Sequence, residues 1–273
     1  MTIGVGILSF NRPAYLRRLL ASLEAQTNLR DVDVWLFQDG AVNRFSGIRY
    51  AIEADIRACV SLFARSALAN KWSIVRETNA GIAINSFEAL EELTGNYERV
   101  LLLEDDVVLS PHWLRLARLL YDDLAERPHV FSISPGFLRE GDDEDAVVYR
   151  WPHMWAECFL SARWREIRGH YLEDFYPHVA ECDYVHRDLN AIRAAFARRG
   201  EATNPVLSQD SGRELAMRRA GMVRAKTAVN RAIGIGRRGL HFTPGLFRQL
   251  GFDQPGPFIH AGDATREGFV WPD

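Results

Sequence analysis

The sequence predicts an α/β fold built on a mostly parallel, doubly wound sheet, and three observations predict it. Four short apolar runs, each followed by a segment of helical periodicity, fill the first half of the chain. The fourth run, Val100 to Leu103, is uninterrupted aliphatic, the composition of a strand covered on both faces. It ends at Glu104, Asp105 and Asp106, and polar residues also follow the first two runs, at the strand ends where open α/β sheets carry their ligand crevice.

Taken in order, residues 3–8 read as the first strand, and Ser9-Phe10-Asn11-Arg12 as the turn into a helix that starts on Pro13, where a missing N–H costs nothing. Tyr15, Leu16, Leu19, Leu20 and Leu23 recur at helical spacing. Residues 34–37 form the second strand, ending in Gln38-Asp39-Gly40, and a helix is expected over 51–68. A third strand over 72–77 leads through Thr78-Asn79-Ala80-Gly81 to a helix over 84–93. After the fourth strand, Ser110 and Pro111 read as cap and first residue of a helix carrying Leu114, Ala117, Leu120, Tyr121 and Leu124.

Beyond a strand over 130–134 the alternation breaks down. Residues 140–145 hold five acids in six positions and read as a solvated loop. Residues 147–151 are expected to pair with 158–160, and helices are expected over 162–167, 190–199 and 213–220. The last forty residues are rich in glycine, proline and aromatics without period, and read as a tail wrapped on the domain. No internal repeat is present.

At 273 residues the chain can bury one large core, and a single domain is expected, with 1–135 as one half and 136–273 as the other. A net charge of −3 argues against nucleic acid as the main partner. Lysine occurs only at Lys71 and Lys226, so nearly all positive charge is arginine. Three scattered cysteines make neither a disulfide framework nor a zinc knuckle. The first residues lack the pattern of a signal peptide and no run approaches 18 apolar residues, so a cytoplasmic location without a membrane span is expected.

Three adjacent carboxylates repel unless a cation or hydrogen-bond donors compensate them. A hard divalent ion, Mn²⁺ or Mg²⁺, is the natural guest, because such ions take carboxylate, phosphate and water oxygens. The alternative, that the acids only open a loop, stays open at this point. So do plainer readings of Asp39 as a turn residue, Arg12 as a surface residue, Asp210 as a helix cap and His241 as a structural histidine. Trp151, Trp155 and Trp164 fit either a core or a sugar-facing platform.

Five stretches in this order carry a family likeness: residues 9–13 (Ser-Phe-Asn-Arg-Pro), 38–40 (Gln-Asp-Gly), 104–106 (Glu-Asp-Asp), the segment from Trp155 to Trp164, and 235–241 (Ile-Gly-Arg-Arg-Gly-Leu-His). In them the chain resembles nucleotide-sugar glycosyltransferases of the GT-A fold, most closely the N-acetylglucosaminyltransferase I type. The resemblance implies a Rossmann-like nucleotide-sugar half and an irregular half that binds acceptor and carries the catalytic base. It also implies that Ser9, Asn11 and Arg12 meet the nucleotide, that Asp39 accepts from the uracil imide N–H, and that Glu104 and Asp105 contact ribose or sugar hydroxyls. Asp106 and His241 would ligate Mn²⁺ or Mg²⁺, and Asp210, after Ser208-Gln209, would be the general base, with Glu157, Asp183 and Glu214 as other candidates. The expected reaction is inverting transfer from a UDP-sugar, best UDP-N-acetylglucosamine, to an acceptor hydroxyl. A GDP- or dTDP-sugar, or a non-catalytic nucleotide- or carbohydrate-binding module, are the alternatives. A sugar nucleotidyltransferase would place a glycine-rich loop after the first strand, and none is there.

Overall fold

Eight strands form the main sheet of this computed structural model, which describes residues 1–137, 146–149, 155–201, 207–239, 242–253 and 269–271. They are β1 (Ile3–Ser9), β2 (Val32–Gln38), β3 (Lys71–Val75), β4 (Arg99–Glu104), β6 (Val130–Ser134), β7 (Val147–Tyr149), β8 (Glu157–Leu160) and β9 (Val223–Thr227). Their spatial order is β3-β2-β1-β4-β8-β6-β9-β7. β1 to β4 pair in parallel, β8 runs antiparallel between β4 and β6, β9 is parallel to β6, and β7 closes the edge antiparallel to β9. One sheet therefore runs through both halves of the chain. A separate two-stranded sheet pairs β5 (Val107–Leu109) with β10 (Ala232–Gly234).

Helices cover both faces, because the central strands are apolar on both. Leu101 and Leu103 pack with α1 (Pro13–Glu24), α2 (Glu53–Arg65) and α4 (Trp113–Ala125); Val100 and Leu102 pack with α3 (Ile82–Asn96), α5 (Ser161–Asp174), α6 (Leu189–Ala197) and α7 (Gln209–Arg219). Burying these four aliphatics stabilises by about 1.5–3 kcal/mol each, which fixes where β4 must end and so where its acids emerge. Among the described residues no helix is long and apolar enough to cross a membrane.

The β-α units of the first half follow the sequence reading closely, and the departures lie mostly beyond them. Residues 147–149 pair with β9, whereas 157–160 enter the sheet between β4 and β6, so the expected pairing of these two segments does not form. Short strands separated by few residues look like a hairpin in sequence, yet the central gap beside β4 offers β8 two partners instead of one. The helix after β5 starts at Trp113 with His112 as its cap residue, not at Pro111; Ser110 gives its N–H to the carbonyl of Arg231, the residue before β10. α7 starts four residues earlier than expected, capped by the Ser208 hydroxyl, which places Asp210 inside its first turn and not at its cap. The tail begins on Gly234, the last residue of β10, and contains α8 (Pro244–Gln249). The acidic run 140–145 and Trp151 lie outside the described residues.

Gly40, just past β2, backs onto the Thr78–Asn79 backbone so closely that a Cβ there would sit 2.4 Å from the Thr78 carbonyl carbon. Gly40→Ala should therefore lower stability by about 1–3 kcal/mol, the usual cost of overpacking, as a fall in the urea midpoint at unchanged slope. An unchanged midpoint would show that this junction has room to spare.

Candidate functional site at the end of the fourth strand

β4 delivers three carboxylates to one place. Glu104 is its last residue, Asp105 and Asp106 form the turn into β5, and Asp105 is almost wholly buried. The Arg12 guanidinium lies across the second and third acids, with Nη1 donating to Asp106 Oδ2 at 2.6 Å and Nη2 to Asp105 Oδ1. Arg12 is the residue before Pro13, so the break between β1 and α1 aims it at the end of the neighbouring strand β4. Burial works against the Arg12 cation, but Asp105 and Asp106 outweigh it and raise its pKa. Burial pushes the Asp105 carboxyl up to about 6 even though Arg12 pulls it down. Glu104 is held well above the usual carboxylate range, first by burial and then by the charges of Asp106 and Asp210.

The loop after β10 closes against this cluster. Ile235 donates its N–H to the Asp106 carbonyl at 2.8 Å, extending the β5–β10 pairing to the acid itself. A Cβ on Gly236 would lie 1.9 Å from Asp106 Oδ2, and one on Gly239 would lie 3.2 Å from Arg12 Nη1. Glycine at 236 is thus a requirement of close approach, because any side chain there would displace the carboxylate. The motifs 9–13, 104–106 and 235–239, far apart in sequence, meet here; Leu240 and His241 lie outside the described residues.

From the opposite face, the first turn of α7 presents Asp210, whose side chain is 26% exposed and whose charge acts on Glu104. Arg213 Nη2 donates to Asp210 Oδ1 at 3.0 Å, and Arg213 Nη1 to Glu157 Oε2 at 3.2 Å. Glu157 Oε1 accepts from the Ser132 hydroxyl at 2.8 Å. The sequence reading did not single out Arg213; the opposite charges at 210 and 213, one helical turn apart, were the available signal. The other candidate bases are occupied. Glu157 is buried in this pair, Glu214 is bridged by Arg218 and Arg224, and Asp183 accepts from the Tyr50 hydroxyl at 2.8 Å, the Ser46 hydroxyl and the Val185 N–H. Burial opposes the Asp183 charge, but those donated hydrogen bonds outweigh it and keep its pKa below the ordinary value.

At the end of β2, Asp39 is held by four hydrogen bonds from the chain itself. Its Oδ1 accepts from the Gly40 and Ala80 N–H groups at 3.0 and 2.8 Å, and its Oδ2 from Asn79 Nδ2 and the Gly81 N–H at 2.8 and 3.0 Å. Four donors fill the four lone-pair sites of a carboxylate, so accepting from a uracil N–H would require one of them to leave. Burial raises the Asp39 pKa although these N–H groups pull it down. Ser9 is buried and donates to Gln38 Oε1 at 2.9 Å, which turns its hydroxyl inward. Asn11 lines an open cavity of about 410 Å³ with Arg49, Tyr50, Ala51, Ile52 and Asp55. Trp164 is core, its indole N–H donated to Glu91, whereas half-buried Trp155 packs with Phe137, Phe242 and Phe252.

Among the described residues no group of three or more histidine, cysteine, aspartate or glutamate side chains is arranged to hold a metal. The cluster does fit a hard divalent ion held by one protein carboxylate. Asp106 is partly exposed, and of its two oxygens only Oδ2 is engaged by Arg12. Phosphate and water oxygens complete such a shell.

No protein-family model matches the sequence, and no curated protein matches it. Among solved structures, S. aureus TarS is similar over 61% of this chain and 30% of its own length, at 15% identity and a TM-score of 0.39. S. aureus TarS 1-349 in complex with UDP-GlcNAc is similar over 60% of this chain and 47% of its own, at 16% identity and a TM-score of 0.40. An active-site mutant of LgtC is similar over 95% of this chain and 99% of its own, at 17% identity and a TM-score of 0.41. The chain spans less than half the length of these two TarS chains, and likeness at these TM-scores assigns no activity.

Asp39 and Asp106 should separate cleanly by stability. Asp39→Ala strands four donors in the interior and should cost about 3 kcal/mol or more, since each buried group left without a partner costs about 1–3. Asp106→Ala leaves Arg12 paired with Asp105 and relieves repulsion on Glu104, so its cost should stay within about 1 kcal/mol. Chemical denaturation of both variants checks this; equal losses would mean that Asp39 is not the fastening of the β2 end.

Proposed function

We propose that this chain is a metal-dependent, inverting glycosyltransferase of the GT-A type that moves a sugar from a UDP-sugar, with N-acetylglucosamine the leading sugar, to an acceptor hydroxyl. The observation that carries the reading is the approach of acids from two distant segments: Glu104 to Asp106 at the end of β4, with the 235–239 loop packed on them, and Asp210 on the first turn of α7, whose charge acts on Glu104. In this reading residues 1–135 hold the donor and 136–273 the acceptor and the base.

The chemistry follows from the charges. Breaking the anomeric C–O bond leaves negative charge on the nucleoside diphosphate, so cations belong on that side. Arg12 stands there, and Arg237 and Arg238 follow Gly236 in the loop against Asp106. Asp106 and, by the family likeness alone, His241 would hold Mn²⁺ or Mg²⁺, which supplies neutralisation of the diphosphate when bound. On the other side, Asp210 takes the proton of the acceptor hydroxyl as its oxygen attacks the anomeric carbon. Attack opposite the leaving group inverts the centre. General-base help of this kind is worth about 10²–10⁴ in rate. Ser9, Asn11, Glu104 and Asp105 line the donor side in this reading. Asp39 would accept from the uracil imide only if one of its four present donors gave way, and a GDP- or dTDP-sugar is the second reading.

Asp210→Asn should keep donor affinity and melting temperature, since Ser208 and not Asp210 caps α7, while turnover in a UDP-sugar hydrolysis assay with Mn²⁺ falls by roughly 10² or more. Near-normal turnover in that variant would remove Asp210 as the base. Melting the wild type with a panel of UDP-, GDP- and dTDP-sugars identifies the donor, because a ligand at about 100 times its Kd adds about 2.7 kcal/mol of stability. Asp106→Ala should abolish the part of that gain that depends on Mn²⁺. Stabilisation without any hydrolysis or transfer would favour a binding module.

A further inference from the structure

The pair between Arg213 and Glu157 is not explained by stability. Their side chains are 4% and 1% exposed, and burying two ions costs several kcal/mol each, so well-packed apolar residues would serve the core at least as well. What the pair does do is directional. Ser132 on β6 holds one oxygen of Glu157, the other oxygen accepts from Arg213 Nη1, and Arg213 Nη2 reaches Asp210 Oδ1. The chain of contacts starts in the middle of the sheet and ends on the one member that reaches solvent. Glu157 enters it just after Ala156, a buried non-glycine residue with φ of 56°, a conformation that L-residues adopt at a cost and that persists only where the surroundings impose it.

The titratable groups on which the Asp210 charge acts come from several elements: Glu104 on β4, the neutral phenols of Tyr171 on α5 and Tyr184 in the short helix Tyr184–His186, and Arg213 on its own helix. Asp210 lies close enough to Glu104 for its charge to hold Glu104 from ionising, and a cation on the other side of Asp210 balances that charge. Arg213 supplies the cation from the buried side, holding Oδ1 while Oδ2 makes no hydrogen bond among the described residues.

We propose that Arg213 is the positioning residue of the acceptor-activating carboxylate: anchored on the sheet by Glu157, it fixes Asp210 by one oxygen and leaves the other for the acceptor hydroxyl. This rests on reading Asp210 as the base. Arginine suits the task and lysine does not, because a planar fork spans two carboxylates at once and an ammonium on a flexible stem does not hold both in fixed geometry.

The test measures kcat and KM for UDP-sugar hydrolysis, with melting temperature, in Asp210→Asn, Arg213→Lys, Glu157→Gln and the doubles of the last two with Asp210→Asn. Arg213→Lys should lower kcat by about tenfold or more at a KM within about twofold of wild type, the split expected when only a transition-state contact is disturbed. Added to Asp210→Asn it should cost nothing further, since residues acting through one group are not additive. Glu157→Gln keeps shape and leaves Arg213 in place, so it decides the matter if Arg213→Lys does not fold; it should lower kcat by about fivefold and lose that effect in the Asp210→Asn background. Losses that multiply in the doubles, or a normal kcat in Glu157→Gln, would overturn the positioning role while a slow Asp210→Asn left the base intact. A normal Asp210→Asn would instead overturn the base itself, and the role of Arg213 with it.

Discussion

Repulsion among Glu104, Asp105 and Asp106 is the constraint around which the site is arranged. A buried strand cannot release three carboxylates into a half-enclosed turn unless positive charge stands against them, and Arg12 is that charge. Its guanidinium bridges two acids, so the start of α1 must lie against the end of β4, which in turn fixes the order of β1 beside β4 in the sheet. Asp105 and Glu104 remain reluctant to ionise even so. The cluster is therefore an electrostatic compromise that a further cation would relieve.

The same solution recurs on the other side of Glu104. Asp210 faces the acids of β4 and is backed by Arg213, which is backed by Glu157. Each side of the site thus consists of carboxylates held by an arginine, partly exposed Arg12 on one and buried Arg213 on the other. In both places the guanidinium spans two carboxylates, a geometry for which lysine has no equivalent. The scarcity of lysine in this chain fits that use, although most of its arginines lie elsewhere.

The first half of the fold was legible because its signals are local. An apolar run of four residues ending in acids, or a proline four residues after a strand, encodes strand and helix boundaries within a window of ten residues, and β1, α1, β2 and β4 fall where those windows put them. The pairing of β8 was not legible, since a four-residue strand carries no mark of which gap in a sheet it will fill. The acid cluster and Asp210 were visible as residue types at strand and helix ends. Their partners were less so: that Arg12 would turn to the acids, that Asp39 would be filled by the 79–81 backbone and Asn79, and that Arg213 would be buried all depend on contacts between segments distant in sequence. Ser110 misled for the same reason, because its backbone was claimed by Arg231, 121 residues away, and the helix began later.

Gly236 and Gly239, pressed against Asp106 and Arg12, have a consequence for the order in which the chain is made. Domains are synthesised from the N-terminus, and a parallel sheet whose partners are close in sequence can assemble before the later strands exist. The acids of β4 emerge from the ribosome more than a hundred residues ahead of the glycines that will enclose them. Arg12 emerges earlier still. The nascent first half therefore carries its own counter-charge and needs nothing from the unfinished part to keep its three carboxylates at peace, so the enclosing loop can arrive last without having to rescue an unstable intermediate.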